Sequence, residues 1–419
     1  MVIQTQSLLF EETKEALQTL KSVVKHTDCS LNPYISNEYN ANIYLKREDL
    51  QIVRSYKIRG AYNKIHGLSD DQKAKGVVCA SAGNHAQGVA YSCNLLKMHG
   101  IIYMPITTPK QKINQVKFFG NEFVDIVLAG DTFDDAFAQA QKFSNENGKI
   151  FIHPFNDEKV IAGQGTVALE ILDDLKEKID YVFVPIGGGG LVSGILSVFK
   201  KLSPETKIIG VEPLGAPSMK ASIEKGEVVN LETIDKFVDG AAVKEVGKLN
   251  FEISKIHLDD VILVTEGKVC TTILKLYNEQ AMVVEPAGAL SVAALDLYRE
   301  NIEGKTVVCI VSGSNNDIER TEEIKEKSLL YEGLKHYFMI EFPQRPGALR
   351  EFMNEVLGER DDITYFQFSK KNSKEMGPAV VGIELKAKDD YNGLINRMEQ
   401  KNIKYHYLNN QNNLFTLLI

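Results

Sequence analysis

A chain of 419 residues has room for two or three domains at roughly 100–200 residues each. Its composition, 44% hydrophobic and 25% charged, excludes an intrinsically disordered chain, and a formal charge of -8 argues against a nucleic-acid partner, which would want a basic face. Five cysteines with no CxxC pair argue against a disulfide framework or a structural zinc site, and Cys79 and Cys309 read as small buried hydrophobes. No basic stretch leads into an apolar segment at the start, and no apolar run could span a bilayer. The expectation is a soluble, cytoplasmic protein with no membrane partner.

The first predicted element is a helix over residues 8–25, with Leu8, Leu9, Ala16, Leu17, Leu20 and Val24 on a helical period. Short apolar runs then recur at Gly76–Ala80, Ile101–Met104, Phe123–Leu128, Ile150–Ile152, Tyr181–Ile186, Lys207–Val211, Val261–Val264 and Thr306–Val311. Continuous runs of this length suit strands covered on both faces. Helical patterns at Asn84–Lys97, Asp131–Glu146, Gly165–Glu177 and Leu191–Leu202 separate some of them, which predicts an α/β fold with parallel sheets. Near residue 325 the character changes. A charged helical connector, 325–335, leads into KHYFMIEF, a turn at QRPGAL, a short helix, DITYFQF, AVVGIEL, a helix at Asp390–Glu399 and a final strand at FTLLI. That order predicts a ferredoxin-like α+β module over 336–419, after a first region of 1–324.

Four segments could carry chemistry. In Ser55-Tyr56-Lys57-Ile58-Arg59, Lys57 opens a helix beside apolar groups and Arg59. A solvated surface lysine is one reading; an amine with a disfavoured charge, fit to be a nucleophile, is the other. Ser81-Ala82-Gly83-Asn84-His85 lies between a strand and a helix, where free N–H groups and the helix dipole favour an anion. A tight turn capped by Asn84 explains it equally, and His85 reads as structural. Gly187-Gly188-Gly189-Gly190-Leu191 also follows a strand. A plain turn needs one or two glycines, so four in a row point to backbone approaching a phosphate. Val311-Ser312-Gly313-Ser314-Asn315-Asn316-Asp317 is the fourth, again at a strand end, where open α/β sheets bind ligands. Gly163-Gln164-Gly165-Thr166-Val167-Ala168 fits a dinucleotide fingerprint, which would suit an NAD-dependent oxidoreductase. It lacks the tight strand-to-helix turn that the fingerprint needs.

Taken in order, SYKIRGA, SAGNHAQG, GGGGL and SGSNND, with YLKREDLQ before and EPAGA at 285–289, resemble the serine/threonine dehydratase branch of fold-type II pyridoxal-phosphate enzymes over roughly residues 8–322. The tail, FMIEFPQRPGAL, is similar to the ACT-like regulatory domain of biosynthetic threonine dehydratases, in the short form with one such module. The resemblance implies two open α/β subdomains that hold pyridoxal 5'-phosphate, L-threonine or L-serine as substrate, and assembly as a homotetramer. It implies that Lys57 bonds the cofactor and that Tyr56 packs beside its ring. Gly187, Gly188, Gly189, Gly190 and Leu191 would meet its phosphate, Asn84 its ring hydroxyl oxygen and Ser312 its ring nitrogen. Ser81, Ala82, Gly83, Asn84 and His85 would grip the substrate carboxylate. Arg345, Gly347 and Leu349 would form the effector turn, with isoleucine as inhibitor and valine as activator. A divalent metal is not expected, because Leu214 to Met219 lack the acidic residue that follows Glu212's counterpart in relatives; a monovalent ion on carbonyls stays open. A serine dehydratase, serine racemase or threonine synthase of the same fold, or an amino-acid sensor with a degenerate catalytic region, are the rival readings.

Overall fold

The computed structural model describes residues 8–368 and 375–410. The chain divides into two compact units, Met1–Asp317 and Ile318–Ile419. In chain order the strands of the first unit begin with β1 (Cys29–Leu31) and β2 (Asn42–Arg47). Next come β3 (Val77–Ala80), β4 (Gly100–Met104), β5 (Val124–Leu128) and β6 (Ile150–Phe151), which form their own parallel sheet in the order β5-β4-β3-β6. Then β7 (Tyr181–Pro185), β8 (Lys207–Pro213), β9 (Asp260–Val264) and β10 (Thr306–Val311) return to β2, giving a six-stranded sheet, β1-β2-β10-β7-β8-β9. Only β1 runs antiparallel in it. Every residue of β3, β4, β7 and β10 is buried, which is why these strands read as unbroken apolar runs.

The first helix is Phe10–Leu20, shorter than its hydrophobic period. The helix expected from Gly165 starts earlier, at Glu158, where Asp157 accepts the N–H of Val160 as an N-cap. The fingerprint-like glycines therefore lie inside a helix. A Cβ on Gly163 would stand 2.6 Å from the Arg59 carbonyl oxygen, and one on Gly165 2.9 Å from that of Gly194. They let the helices Lys57–His66, Glu158–Asp174 and Gly190–Leu202 pack backbone to backbone.

A buried ionic knot fastens the Lys57–His66 helix. Arg59 donates to Glu48 (2.8 Å from Nε and from Nη2) and to Glu170 (2.7 Å from Nη1 and from Nη2). Lys46, fully buried in β2, donates to Glu170 and to the Thr27 carbonyl oxygen, both at 2.7 Å. Burial alone would raise the Glu48 carboxyl, but Arg59 beside it overrides that and holds it below the usual carboxylate range.

In the second unit, β11 (Lys335–Pro343), β12 (Asp362–Phe368), β13 (Met376–Glu384) and β14 (Tyr405–Tyr407) make an antiparallel sheet in the order β12-β13-β11-β14. The helices Ala348–Glu355 and Asp390–Gln400 supply Phe352, Leu394 and Met398 to a core with Phe338, Ile340, Val381 and Ile383. This is the ferredoxin-like order, with the last described strand at Tyr405–Tyr407. The FTLLI stretch lies outside the described residues. Position 324 falls inside the helix Thr321–Tyr331, and Glu326 of the expected connector accepts from the Tyr337 hydroxyl at 2.7 Å. No helix among the described residues is long and apolar enough to cross a membrane.

Candidate active site

Three loops leave the carboxyl ends of β3, β7 and β10: residues 81–83, 186–189 and 312–317. The last of these is sewn to the segment before Lys57. The Tyr56 N–H donates to the Ser312 carbonyl oxygen (3.2 Å), the Ser314 N–H to that of Arg54 (2.9 Å), and Ser55 pairs with Gly313 as an isolated bridge. On the other side, a Cβ on Gly88 would stand 3.1 Å from the Lys57 carbonyl, so the helix Asn84–Leu96 lies directly against it. Lys57, Tyr56, Asn84 and Ser312 are thereby brought into one neighbourhood.

The Lys57 ammonium donates to the Pro154 carbonyl oxygen at 3.0 Å. The side chain is half-buried by area, yet protein surrounds its amine. Burial pushes the amine down to about 8, with Glu285 pulling the other way. The next residue, Phe155, lies under the glycine run. A Cβ on Gly188 would stand 2.3 Å from its ring atoms, one on Gly190 3.1 Å from its Cα, and one on Gly187 3.0 Å from the Ala241 Cα. Gly189 takes φ +91°, open to glycine at little cost. Asn250 donates to the carbonyl oxygens of Gly188 (2.7 Å) and Phe155 (3.1 Å), locking the turn. Among the described residues, the N–H groups of Gly188, Gly189, Gly190 and Leu191 meet no protein acceptor, though all four residues are buried. Buried donors of this kind at a helix N-terminus form an anion cradle.

Ser81, Ala82, Gly83 and Asn84 are half-buried, and a Cβ on Gly83 would meet nothing within 4 Å. The Ser81 hydroxyl accepts the Gly83 N–H at 3.2 Å. His85 differs: it is buried, its Nε2 lies 2.9 Å from the Ile152 carbonyl oxygen, and its Nδ1 has no partner. Burial, then Lys57, push it down to about 3, so the ring is neutral. Its Nε2 must carry the proton that meets the carbonyl, so Nδ1 is a bare acceptor and the backbone N–H is the donor His85 can offer a ligand.

Sequence reading did not single out Glu285 or Asn315 as site residues. Glu285 is buried and accepts from Asn84 Nδ2 at 2.6 Å. Burial, then Asp239, raise its carboxyl to about 7. The only signal was its place in EPAGA. Arg345, Gly347 and Leu349 lie in the second unit, where Arg345 pairs with Glu351, Gly347 takes φ +86° and Leu349 is exposed. Glu212 is buried and spends both carboxylate oxygens on the N–H groups of Met219 (2.7 Å) and Lys220 (2.9 Å), capping the helix Ser218–Lys225.

A desolvated amine held on Pro154, with an anion cradle packed on the adjacent Phe155, at the strand ends of an open α/β region, suits an enzyme that holds a phosphorylated carbonyl cofactor. Residues 22–313 match the model of the pyridoxal-phosphate-dependent enzymes, and residues 326–418 that of the C-terminal regulatory domain of threonine dehydratase. The chain belongs to the pyridoxal-phosphate-dependent enzyme family, in the branch of the biosynthetic threonine dehydratases. It is 57% identical to the biosynthetic L-threonine dehydratase IlvA of Halalkalibacterium halodurans, over 96% of this chain and 97% of that protein. It is 58% identical to the Bacillus subtilis protein of the same name, over 97% and 96%. Among solved structures, the processed form of threonine deaminase isoform 2 from Solanum lycopersicum superposes with a TM-score of 0.74 at 41% identity, over 77% of this chain and 88% of that one. Maize serine racemase gives 0.71 at 31%, over 77% and 98%. Pyridoxal phosphate fits the residues present: Lys57 offers the amine, and the bare N–H groups of Gly188–Leu191 offer the phosphate cradle.

Proposed function

We propose that this chain deaminates L-threonine to 2-oxobutanoate and ammonia, the water lost in elimination being regained on hydrolysis, as the entry reaction to isoleucine, and that its C-terminal unit lets isoleucine restrain that reaction. The observation that carries the catalytic half is the Lys57 amine, pushed down to about 8 by burial while held on the Pro154 carbonyl oxygen. An amine in that range can take a proton near neutral pH.

When bound, pyridoxal phosphate supplies the electron sink for the substrate α-carbon. In this reading Lys57 would hold the cofactor through its amine, and that desolvated amine would be the base for the α-proton. Gly187, Gly188, Gly189, Gly190 and Leu191 turn their N–H groups to the phosphate. Tyr56 packs beside the ring. Ser312 offers a neutral hydroxyl to the ring nitrogen, where a carboxylate would instead hold a proton on it. Asn84 meets the ring hydroxyl oxygen, and Ser81 to His85 take the substrate carboxylate at the bare helix N-terminus. Loss of the β-hydroxyl as water leaves an unsaturated amine, whose hydrolysis gives 2-oxobutanoate and ammonia. L-serine differs from L-threonine by one methyl, worth only about 1–3 kcal/mol in a pocket, and is the second substrate this reading admits.

Residues 1–324 carry the chemistry in this reading, and residues 336–419 the regulation, with Arg345, Gly347 and Leu349 at the effector turn and valine opposing isoleucine. A homotetramer in the cytoplasm completes it; five unbridged cysteines suit that reducing setting. The test is release of 2-oxo acid from threonine by the purified protein, with and without isoleucine. Release that isoleucine slows is the expected result. No release, from a yellow protein that binds the cofactor, would move the assignment to a racemase or a sensor.

A further inference from the structure

Asn315 belongs to none of the roles above, yet it holds the residue assigned to the cofactor ring. Its Nδ2 lies 2.9 Å from the Val53 carbonyl oxygen and 2.6 Å from Asn84 Oδ1. A backbone carbonyl only accepts, so the atom facing Val53 must be the amide nitrogen of Asn315. That nitrogen carries two protons. One goes to Val53, and the other obliges Asn84 to present its oxygen. Asn84 must then turn its own nitrogen the opposite way, where Nδ2 donates to Glu285 Oε1 at 2.6 Å. Asn84 Nδ2 keeps one further proton after Glu285 has taken the first. The frame itself is firm. Glu285 donates its N–H to the Gly313 carbonyl oxygen at 3.2 Å, so both ends of the chain hang from the Ser312–Asn315 loop. Glu285 and Gly313 also touch closely enough that a Cβ on Gly313 would collide with the carboxylate.

We infer that Asn315 is a positioning residue: it fixes the Asn84 amide with its N–H face toward the cofactor's ring hydroxyl oxygen, through the chain Val53–Asn315–Asn84–Glu285. This rests on the reading that Asn84 meets that oxygen. An asparagine amide is nearly symmetric in shape, so only its partners decide which face it presents. Without Asn315 the Asn84 oxygen loses its donor and only Glu285 is left to hold the amide, so the N–H offered to the ring oxygen is no longer fixed and the electronic state of the ring changes.

The test compares three holoenzymes, reconstituted with pyridoxal phosphate: the parent, Asn84→Ala and Asn315→Asp. Asn315→Asp keeps the shape and removes both donors. The visible band of the bound cofactor and its pH titration are read first, then kcat and KM for threonine, then the melting of each cofactor-free protein. Both variants should move the band in the same direction. Asn315→Asp should lower kcat about three- to tenfold, the worth of one hydrogen bond, with KM little changed and the cofactor-free melt preserved. If Asn84→Ala moves the band and Asn315→Asp does not, the positioning role is overturned while the Asn84 reading stands. If Asn84→Ala leaves the band alone, the Asn84 reading fails and takes the inference with it. Should a carboxylate at 315 prevent folding, Asn315→Ser, smaller and neutral, is read against the same band. An unmoved band there overturns the role equally.

Discussion

Gly163→Ala would disturb Lys57 without touching any group assigned to a ligand. The new methyl would stand 2.6 Å from the Arg59 carbonyl oxygen, 2.7 Å from the Gly60 Cα and 2.9 Å from the Arg59 carbonyl carbon. Relaxed contacts lie near 3.5–4.0 Å, so two helix backbones must part by roughly an ångström. Neither contact is a side-chain tip that could rotate away. Alanine gains about 1 kcal/mol over glycine in a helix interior. Overpacking costs about 1–3 kcal/mol, here at the upper end because backbone meets backbone. The net expectation is a loss of ~1–2 kcal/mol, and a larger effect on turnover, since a 1 Å misplacement of a reacting group can cost about 100-fold. The assay is kcat for 2-oxo acid release, beside urea unfolding of the same preparation. Gly67→Ala is the control at the other end of the Lys57 helix, where a Cβ would stand 3.4 Å from its nearest neighbour, an ordinary contact. Parent-like turnover and unfolding in Gly163→Ala would refute the claim that helix approach sets the lysine. Equal damage in Gly67→Ala would refute it too.

Arg59→Met should cost about 3–5 kcal/mol in urea unfolding, because it leaves Glu48 and Glu170 buried beside a missing charge. The lowered Glu48 carboxyl adds stability that is present above its ordinary 4.5 and lost as pH falls through the lowered value, so Arg59→Met should also unfold at milder acid; an unchanged acid midpoint would contradict this. In the cofactor-free protein, Lys57 sits near 8 against an ordinary 10.5. The unfolded chain holds the extra proton between those values, so stability relative to Lys57→Met should rise with pH across that window, and a flat difference would remove the burial argument. A chain ending at Asp317 should keep threonine turnover and lose the response to isoleucine; a folded truncation that still responds would undo the division of labour.

Much of the fold was legible because parallel strands covered on both faces must be apolar throughout, as β3, β4, β7 and β10 are. Asn42–Arg47 was not read as a strand because its last two residues are charged. Lys46 is nevertheless fully buried, and its charge is met by Glu170, 124 positions away, a pairing no local window reveals. The helix Glu158–Asp174 was entered late because Gly163 and Gly165 look like a turn, and tertiary packing uses them otherwise. In the site, the strand-end loops announced themselves by glycine and small polar residues. The roles of Glu285 and of Asn315, though Asn315 lies in one of those loops, did not, since a glutamate and an asparagine gain meaning only when Asn84 is found between them.

Glycine marks the site twice, for different physical reasons. At Gly60, Gly163, Gly165 and Gly194 the space a Cβ would need is filled by another helix, so these glycines fix how closely the scaffold packs around Lys57. At Gly187–Gly190 that space is filled by Ala241, Phe155 and Asn250, all protein as well. Four glycines after β7 are therefore already required by packing, and the run alone does not prove a phosphate site. The stronger sign is that, among the described residues, Gly188 to Leu191 are buried and their N–H groups meet no protein acceptor. A fold that buries donors and leaves them unpaired gives up hydrogen bonds that a turn could otherwise make. An anion at that helix N-terminus restores them, and Phe155, by filling the rear of the turn, keeps those donors facing it.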